Sequence, residues 1–368
     1  MAPARPHFRR YVLSMMALVI GPLIAVGAFV FAVDPLWISP IDTGITRLYC
    51  VKDERQNKID KARFDSARYD SVLLASSRGN SFDFGTAGYH TFNFALGGMF
   101  PFEYQPVLDL FARYQGEPKT VFLALDFYGT AEPTKTTDTD KPPQFFIERL
   151  ADPFYRLRNT LSWQVLAYAA SDVTSCGTTP GGYGVFDRTG RMHVGHLASL
   201  KEFFRRARAN LNFYGRERYG VSYTYNAELK DMLKRLRDSH PHSRFVVFTT
   251  PESAPMWRLV IEHGRFDDYA RWLGEIVEVF GEVHDFLGYN SVTTDYENFY
   301  DGHHLYPEIG RLVVKRVLDL PVSGHEDFGV RVTAENLADH IARQRSRGPT
   351  DISAYQLLSM RTPSNPSP

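Results

Sequence analysis

The stretch VLLASSRGNSF, residues 72–82, decides how the rest of this 368-residue chain is read. An apolar run stops abruptly at two serines, an arginine and a glycine. A run that is apolar on successive positions reads as a strand covered on both faces, because a half-exposed strand would alternate. The polar residues after it read as a turn. Further strand candidates follow at TFNFAL (91–96), TVFLALDF (120–127), RFVVFTT (244–250) and VHDF (283–286). Helical patterns lie between them, at 101–115, 255–280 and 307–320. Alternating strands and helices predict an α/β protein with a mostly parallel, doubly wound sheet.

Hydrophobic residues make up 43% of the chain and aromatics 14%, enough for a substantial core. Lys plus Arg and Asp plus Glu number 42 each. No basic block or net field is present to track phosphates, which argues against nucleic acid as a partner. Residues 1–10 are basic, and residues 11–33 carry no charge. At 1.5 Å per residue that run crosses a hydrocarbon core of about 30 Å, so it predicts a transmembrane anchor with residues 1–10 in the cytoplasm. The apolar run is longer than a signal peptide's, which favours an uncleaved anchor.

Residues 34–70 are polar, contain Pro35 and Pro40, and read as a juxtamembrane connector. The main domain is expected over 71–325, with an insertion at about 129–241 that opens on a linker-like TAEPTKTTDTDKPPQ. Residues 326–368 are expected to hold a C-terminal helix and a disordered tail ending RTPSNPSP. Only Cys50 and Cys176 are present, which excludes a four-cysteine zinc site; an oxidising compartment would permit one bridge between them.

In an open parallel sheet, ligands collect outside the carboxyl ends of the strands. Ser77 sits at the end of the first strand, well placed for a nucleophile, with a helix N-cap as its alternative role. Gly97 and Gly98 end the second strand, where a backbone N–H can approach an oxyanion, or where two glycines simply permit a tight turn. In NFYDGHHLYPEIG (298–310), Asp301 and His304 are three apart, so the carboxylate can fix the imidazole tautomer, with His303 directed elsewhere. A metal site from His284, Asp285, Asp301, His303 and His304 is the competing reading of the same residues. Tyr128 and Trp257, near strand ends, suit either sugar stacking or core packing, whereas YARWLGEIVEVF (269–280) reads as core.

Taken in order, these blocks resemble the SGNH, or GDSL-type, hydrolase superfamily, over roughly residues 71–320. ASSR is similar to the family's first block, with Ser77 as nucleophile and Ser76 in place of its Asp. NFALGGM is similar to the second, with Gly98 as oxyanion donor beside the Ser77 N–H, and DGHHLYPEIG to the last, with Asp301 and His304. The resemblance implies a flavodoxin-like, SGNH hydrolase-like sheet, an esterase or O-acyltransferase activity and no cofactor. FLALDFYG departs from the family's third block by offering Asp126 where an Asn donor is usual. An ionised carboxylate only accepts hydrogen bonds, so Asp126 has to be paired, and Arg78 is the expected partner.

The anchored layout looks like that of envelope-modifying proteins, such as alginate-acetylation proteins and the teichoic-acid D-alanyl-transfer protein. By that likeness the substrate is a cell-envelope or exported polysaccharide or glycolipid, with a membrane acyl-transfer partner. The domain would face the periplasm or exterior of a bacterial inner membrane. A catalytically inactive binding or assembly protein on the same fold is the alternative.

Overall fold

The structure, a computed structural model, describes residues 6–132, 141–176 and 184–348. The chain starts with α1 (Pro6–Val33), whose Phe8–Val33 portion is long and apolar enough to cross a membrane and is mostly unburied. It ends where the Asp34 carboxylate accepts the N–H groups of Ile38 and Ser39, at 2.8 and 3.0 Å, and pairs with Arg188. β1 (Tyr49–Cys50) and α2 (Glu54–Phe64) follow, and then the central sheet.

That sheet contains β2 (Ser71–Ser76), β3 (Thr91–Leu96), β4 (Thr120–Leu125), β6 (Arg244–Thr249), β7 (Glu282–Asp285) and β8 (Val330–Thr333), in the order β3-β2-β4-β6-β7-β8. The first five pair in parallel, and β8 closes the edge antiparallel to β7. The fold is therefore mixed α/β with a mostly parallel sheet. Counted in chain order along the sheet, the strands run 2-1-3-4-5-6. The order reverses between β2 and β4, and a crevice forms where connections leave such a reversal in opposite directions.

Both faces of the sheet are covered, which is why its strands read as continuous apolar runs. Val72, Leu74, Val121 and Leu123 face one cluster, built with α3 (Pro101–Gln115), α8 (Leu229–Ser239) and α10 (Phe266–Phe280). Leu73, Ala75, Phe122 and Ala124 face a second, built with α7 (Leu200–Glu217) and α11 (Pro307–Val317). Burial of each such side chain contributes roughly 1.5–3 kcal/mol.

Four expectations need correction. The connector at 34–70 contains α2, a helix buried along Arg55–Ala62. It was hidden because it has no apolar stripe: its buried face is charged. Arg55 Nε and Nη2 grip Glu103 of α3 at 3.0 and 3.1 Å, and Asp60 takes hydrogen bonds from Gln56 and Tyr155. The insertion ends sooner than expected, because α8 packs on α3 and α10 as the crossover helix between β4 and β6. The helix expected at 255–280 is two, α9 (Ala254–Glu262) and α10, broken at His263–Gly264. The domain does not stop at residue 325, since β8 extends the sheet and α12 (Leu337–Ser346) packs against it and α10.

The insertion itself holds α4 (Pro143–Glu148), α5 (Tyr155–Thr160), α6 (Trp163–Thr174), β5 (Val185–Phe186) and α7. β5 pairs with β1, and beside them Cys50 and Cys176 are joined by a disulfide, 126 residues apart in sequence. The central part of the expected linker and the whole C-terminal tail lie outside the described residues.

Because α2 is held by charge, Arg55→Ala leaves the buried Glu103 carboxylate without its guanidinium. That is expected to cost about 3–5 kcal/mol in urea unfolding followed by circular dichroism, while Arg55→Met with Glu103→Leu recovers most of the loss.

Candidate active site

The two serines after β2 have different jobs. Ser76 is the cap: its Oγ accepts the Arg78 N–H at 3.3 Å and opens the 3-10 turn Ser77–Ser81. Ser77 is thereby released from capping and stays half-buried, with its Oγ 2.9 Å from His304 Nε2. The turn is pressed against α11 so closely that a Cβ on Gly310 would lie 2.3 Å from the Ser81 carbonyl oxygen. The helix that follows the histidine loop is thus seated on the serine turn.

His304 Nδ1 lies 2.7 Å from Asp301 Oδ2, while Asp301 Oδ1 accepts the N–H groups of His303 and His304 at 2.9 and 2.8 Å. Burial alone would raise the Asp301 pKa, but the two imidazoles and these hydrogen bonds hold it well below the usual carboxylate range. An ionised carboxylate only accepts, so the shared proton belongs to Nδ1 and the Nε2 lone pair faces Ser77. The loop is stiffened by the Phe299 to Leu305 bridge and by Tyr300, whose ring stacks on His304 at 5.3 Å.

Ser77, Gly98, Tyr128, Asp301, His303 and His304 line one cleft of about 350 Å³, with Asn210, Phe213, Tyr214 and Arg218 supplied from α7 and its end. Gly98 has φ 57°, a conformation that favours glycine, and its N–H makes no hydrogen bond among the described residues. The Gly97 N–H, by contrast, is taken by Glu54 at 2.8 Å. Only the second glycine of the pair therefore offers a donor.

Arg78 and Asp126 meet as expected, at 2.8 Å, within a larger cluster than the sequence indicated. Arg78 Nη1 also donates to Glu252 at 2.5 Å and to Thr250 at 3.2 Å, and Nη2 donates to Tyr214 at 3.1 Å. Thr250 Oγ1 donates to Asp126 Oδ1 at 2.5 Å. Burial would depress the Arg78 pKa, but Glu252, Tyr214 and Asp126 raise it well above its ordinary value. Asp126 is thus turned into a buried ion cluster and away from any donor role in the cleft.

Beneath the turns, Glu54 and Lys58 of α2 bind both strand ends. Lys58 donates to Asn80 Oδ1 at 2.9 Å, to Glu54 at 3.1 Å and to the Ala95 carbonyl, and Asn80 donates to Glu54 at 3.0 Å. Glu54, Lys58, Tyr214, Thr250 and Glu252 were missed in the sequence because no spacing links them. One available signal was that RFVVFTT runs directly into a Pro-Glu turn at a strand end.

The other expectations divide. His303 does not leave the site: its ring lies 4.0 Å from that of His304 and 5.1 Å from that of Tyr214. Burial and then His304 push its pKa well below the ordinary value, against the opposite pull of Asp301. The five metal-ligand candidates do not assemble. Asp301, His303 and His304 cluster, but Asp285 is committed to Thr249, Tyr269 and His340, and His284 lies near Asp319. Trp257 is core, packed on Tyr269, and α10 is core as read. Tyr128 is no open platform either, since Arg78 and Arg218 sit over its ring at 5.4 and 5.3 Å and its hydroxyl donates to the Met99 carbonyl. The exposed aromatic in the cleft is Phe213.

No family model, curated protein or solved structure matches this chain.

Burial pushes the Glu252 carboxyl above its ordinary value of 4.5, with Arg78 pulling it down and Asp126 adding repulsion. A group with a raised folded pKa holds its proton more tightly when folded, so stability falls as pH rises from the unfolded value through the folded one. Glu252→Gln keeps an acceptor for Arg78 and removes that loss. In urea titrations from about pH 4 to pH 8 the variant should gain on the parent as pH rises. Arg78→Met leaves two buried acids without their cation and is expected to cost about 3–5 kcal/mol.

Proposed function

We propose that this protein is a membrane-anchored SGNH-type O-acyl esterase or transferase, working through Ser77, His304 and Asp301 on an acyl ester of a cell-envelope or exported polysaccharide or glycolipid. One observation carries the reading: Ser77 Oγ, His304 Nε2, His304 Nδ1 and Asp301 Oδ2 form a continuous line with steps of 2.9 and 2.7 Å. It stands where the strand order reverses, the usual place for a ligand crevice in such a sheet. The 2-1-3-4-5 order of the parallel strands supports the flavodoxin-like, SGNH-like fold that the sequence blocks imply.

In this mechanism Ser77 Oγ attacks the acyl carbonyl carbon while His304 Nε2 takes its proton and Asp301 stabilises the imidazolium. The carbonyl oxygen becomes an oxyanion, met by the backbone N–H groups of Ser77 and Gly98. Collapse breaks the ester bond, and His304 returns the proton to the departing sugar oxygen. Water or a second sugar hydroxyl then gives its proton to His304 and attacks the Ser77 ester, which yields hydrolysis or transfer. The open wall formed by Asn210 and Phe213 suits an extended acceptor.

The apolar α1, with Arg9 and Arg10 at its start, supports an inner-membrane anchor with the domain on the periplasmic or outer side. The disulfide supports the same side. A membrane acyl-transfer partner would supply the acyl group if the reaction is a transfer.

One observation favours a non-catalytic reading: Asp126 is committed to Arg78 and Thr250, so no side-chain donor stands at the usual third oxyanion position. A fluorophosphonate probe separates the two. Labelling of the folded protein that disappears in Ser77→Ala is expected. Absence of labelling with the fold intact would leave only a binding role. Against an aryl acetate, Asp301→Asn is expected to lower kcat by about 10⁴-fold through loss of the correct tautomer.

A further inference from the structure

We infer that the turn joining α5 to α6 is a second membrane contact, lying against the lipid on the same side as the domain and seating it on the bilayer. The inference rests on the reading of α1 as a membrane span and is independent of the chemistry at Ser77.

Its first support is depth. α6 runs against the last turns of α1, with Val30 and Val33 packed on Val165 and Ala169. The α5–α6 turn reaches lower still, because a Cβ built on Gly27 would lie 3.3 Å from Leu161 and 3.8 Å from Thr160. Gly27 is six residues before the end of α1, or about 9 Å along its axis. About twenty residues counted from Tyr11 span the hydrocarbon and end near Val30, beyond Gly27. A turn touching α1 at Gly27 is therefore level with the edge of the apolar layer.

The second support is composition. Phe154, Leu157, Leu161 and Trp163 are all exposed on this short stretch, Trp163 at 82%. Between Asp152 and Asp172 the sequence has no acidic residue, while on α5, just before the turn, Arg156 is exposed with its guanidinium over the Phe64 ring and Arg158 is exposed and paired with Asp152. Large apolar side chains beside arginines fit a phospholipid surface: the rings and branches enter the acyl boundary and the guanidinium groups reach the phosphates. Tryptophan is enriched at that boundary. Continuity with the lipid-facing side of α1 selects lipid as the occupant.

The chain contains its own reporter. Trp37, Trp257 and Trp272 are at most 1% exposed, so of four tryptophans Trp163 alone is open to a contact quencher. The full chain is reconstituted in phosphatidylcholine and phosphatidylglycerol vesicles with brominated or ordinary acyl chains. Brominated lipid is expected to remove up to about a quarter of the emission, more with bromines near the headgroup than deep in the chain. Trp163→Phe should abolish the difference. Equal emission in the two lipids, from protein that stays with the vesicles after an alkaline wash, overturns the lipid contact and leaves the α1 span standing. Release by the alkaline wash overturns the span reading, and the inference falls with it.

Discussion

The guanidinium of Arg78 is the constraint on which the candidate site depends. It is fully buried and held by groups from separate parts of the chain: Asp126 at the end of β4, Thr250 and Glu252 after β6, and Tyr214 on α7. A desolvated cation is tolerable only when such partners are fixed in place. The cluster therefore ties three neighbouring strand ends and one inserted helix to a single point. That point is one residue from Ser77, so the geometry of the serine is set by the same contacts that keep the cation buried. The arrangement also explains why an acid can occupy the position of Asp126: its charge is used inside the sheet rather than presented to the cleft.

What was legible in the sequence was whatever follows from apolar runs and short spacings. SVLLAS and its counterparts announced the sheet because both of its faces are covered, and Asp301 with His304 announced itself because the pair is local. Resemblance to ordered blocks added Ser77 and Gly98. What escaped was held by charge or by distance. α2 has no apolar face, so no periodicity could reveal a helix whose Arg55, Lys58, Asp60 and Lys61 are buried through ionic and hydrogen-bonded partners. Glu252 meets Arg78 across 174 residues. β8 is a four-residue strand on the sheet edge, too short to carry a pattern, and the break at Gly264 lies inside one continuous helical signal.

Two layers with different origins meet at the cleft. Ser77, Gly98, Asp301 and His304 come from turns at the carboxyl ends of the sheet, braced from below by α2. The outer wall comes from α7, in the inserted region, through Asn210, Phe213 and Tyr214. Tyr214 belongs to both layers, since it also accepts a hydrogen bond from Arg78. The region before α7 packs on α1 through α5 and α6. The helices that shape the mouth of the cleft thus belong to the same inserted segment as those that meet α1, and the candidate site is held relative to that apolar helix by packing and not by a free tether.

The disulfide between Cys50 and Cys176 closes a covalent ring around part of the fold only. Inside the ring lie α2, β2, β3, α3 and β4, and with them Ser77, Arg78, Gly98 and Asp126. Outside it lie β6, β7 and β8, together with Glu252, Asp301 and His304. The part that carries Ser77 is closed by a chemical bond, whereas the part that carries His304 is joined to it by packing, hydrogen bonds and the Arg78–Glu252 ion pair. On the entropic account the bond acts through the unfolded chain, where closing a loop of 126 residues disfavours unfolding by about 5 kcal/mol.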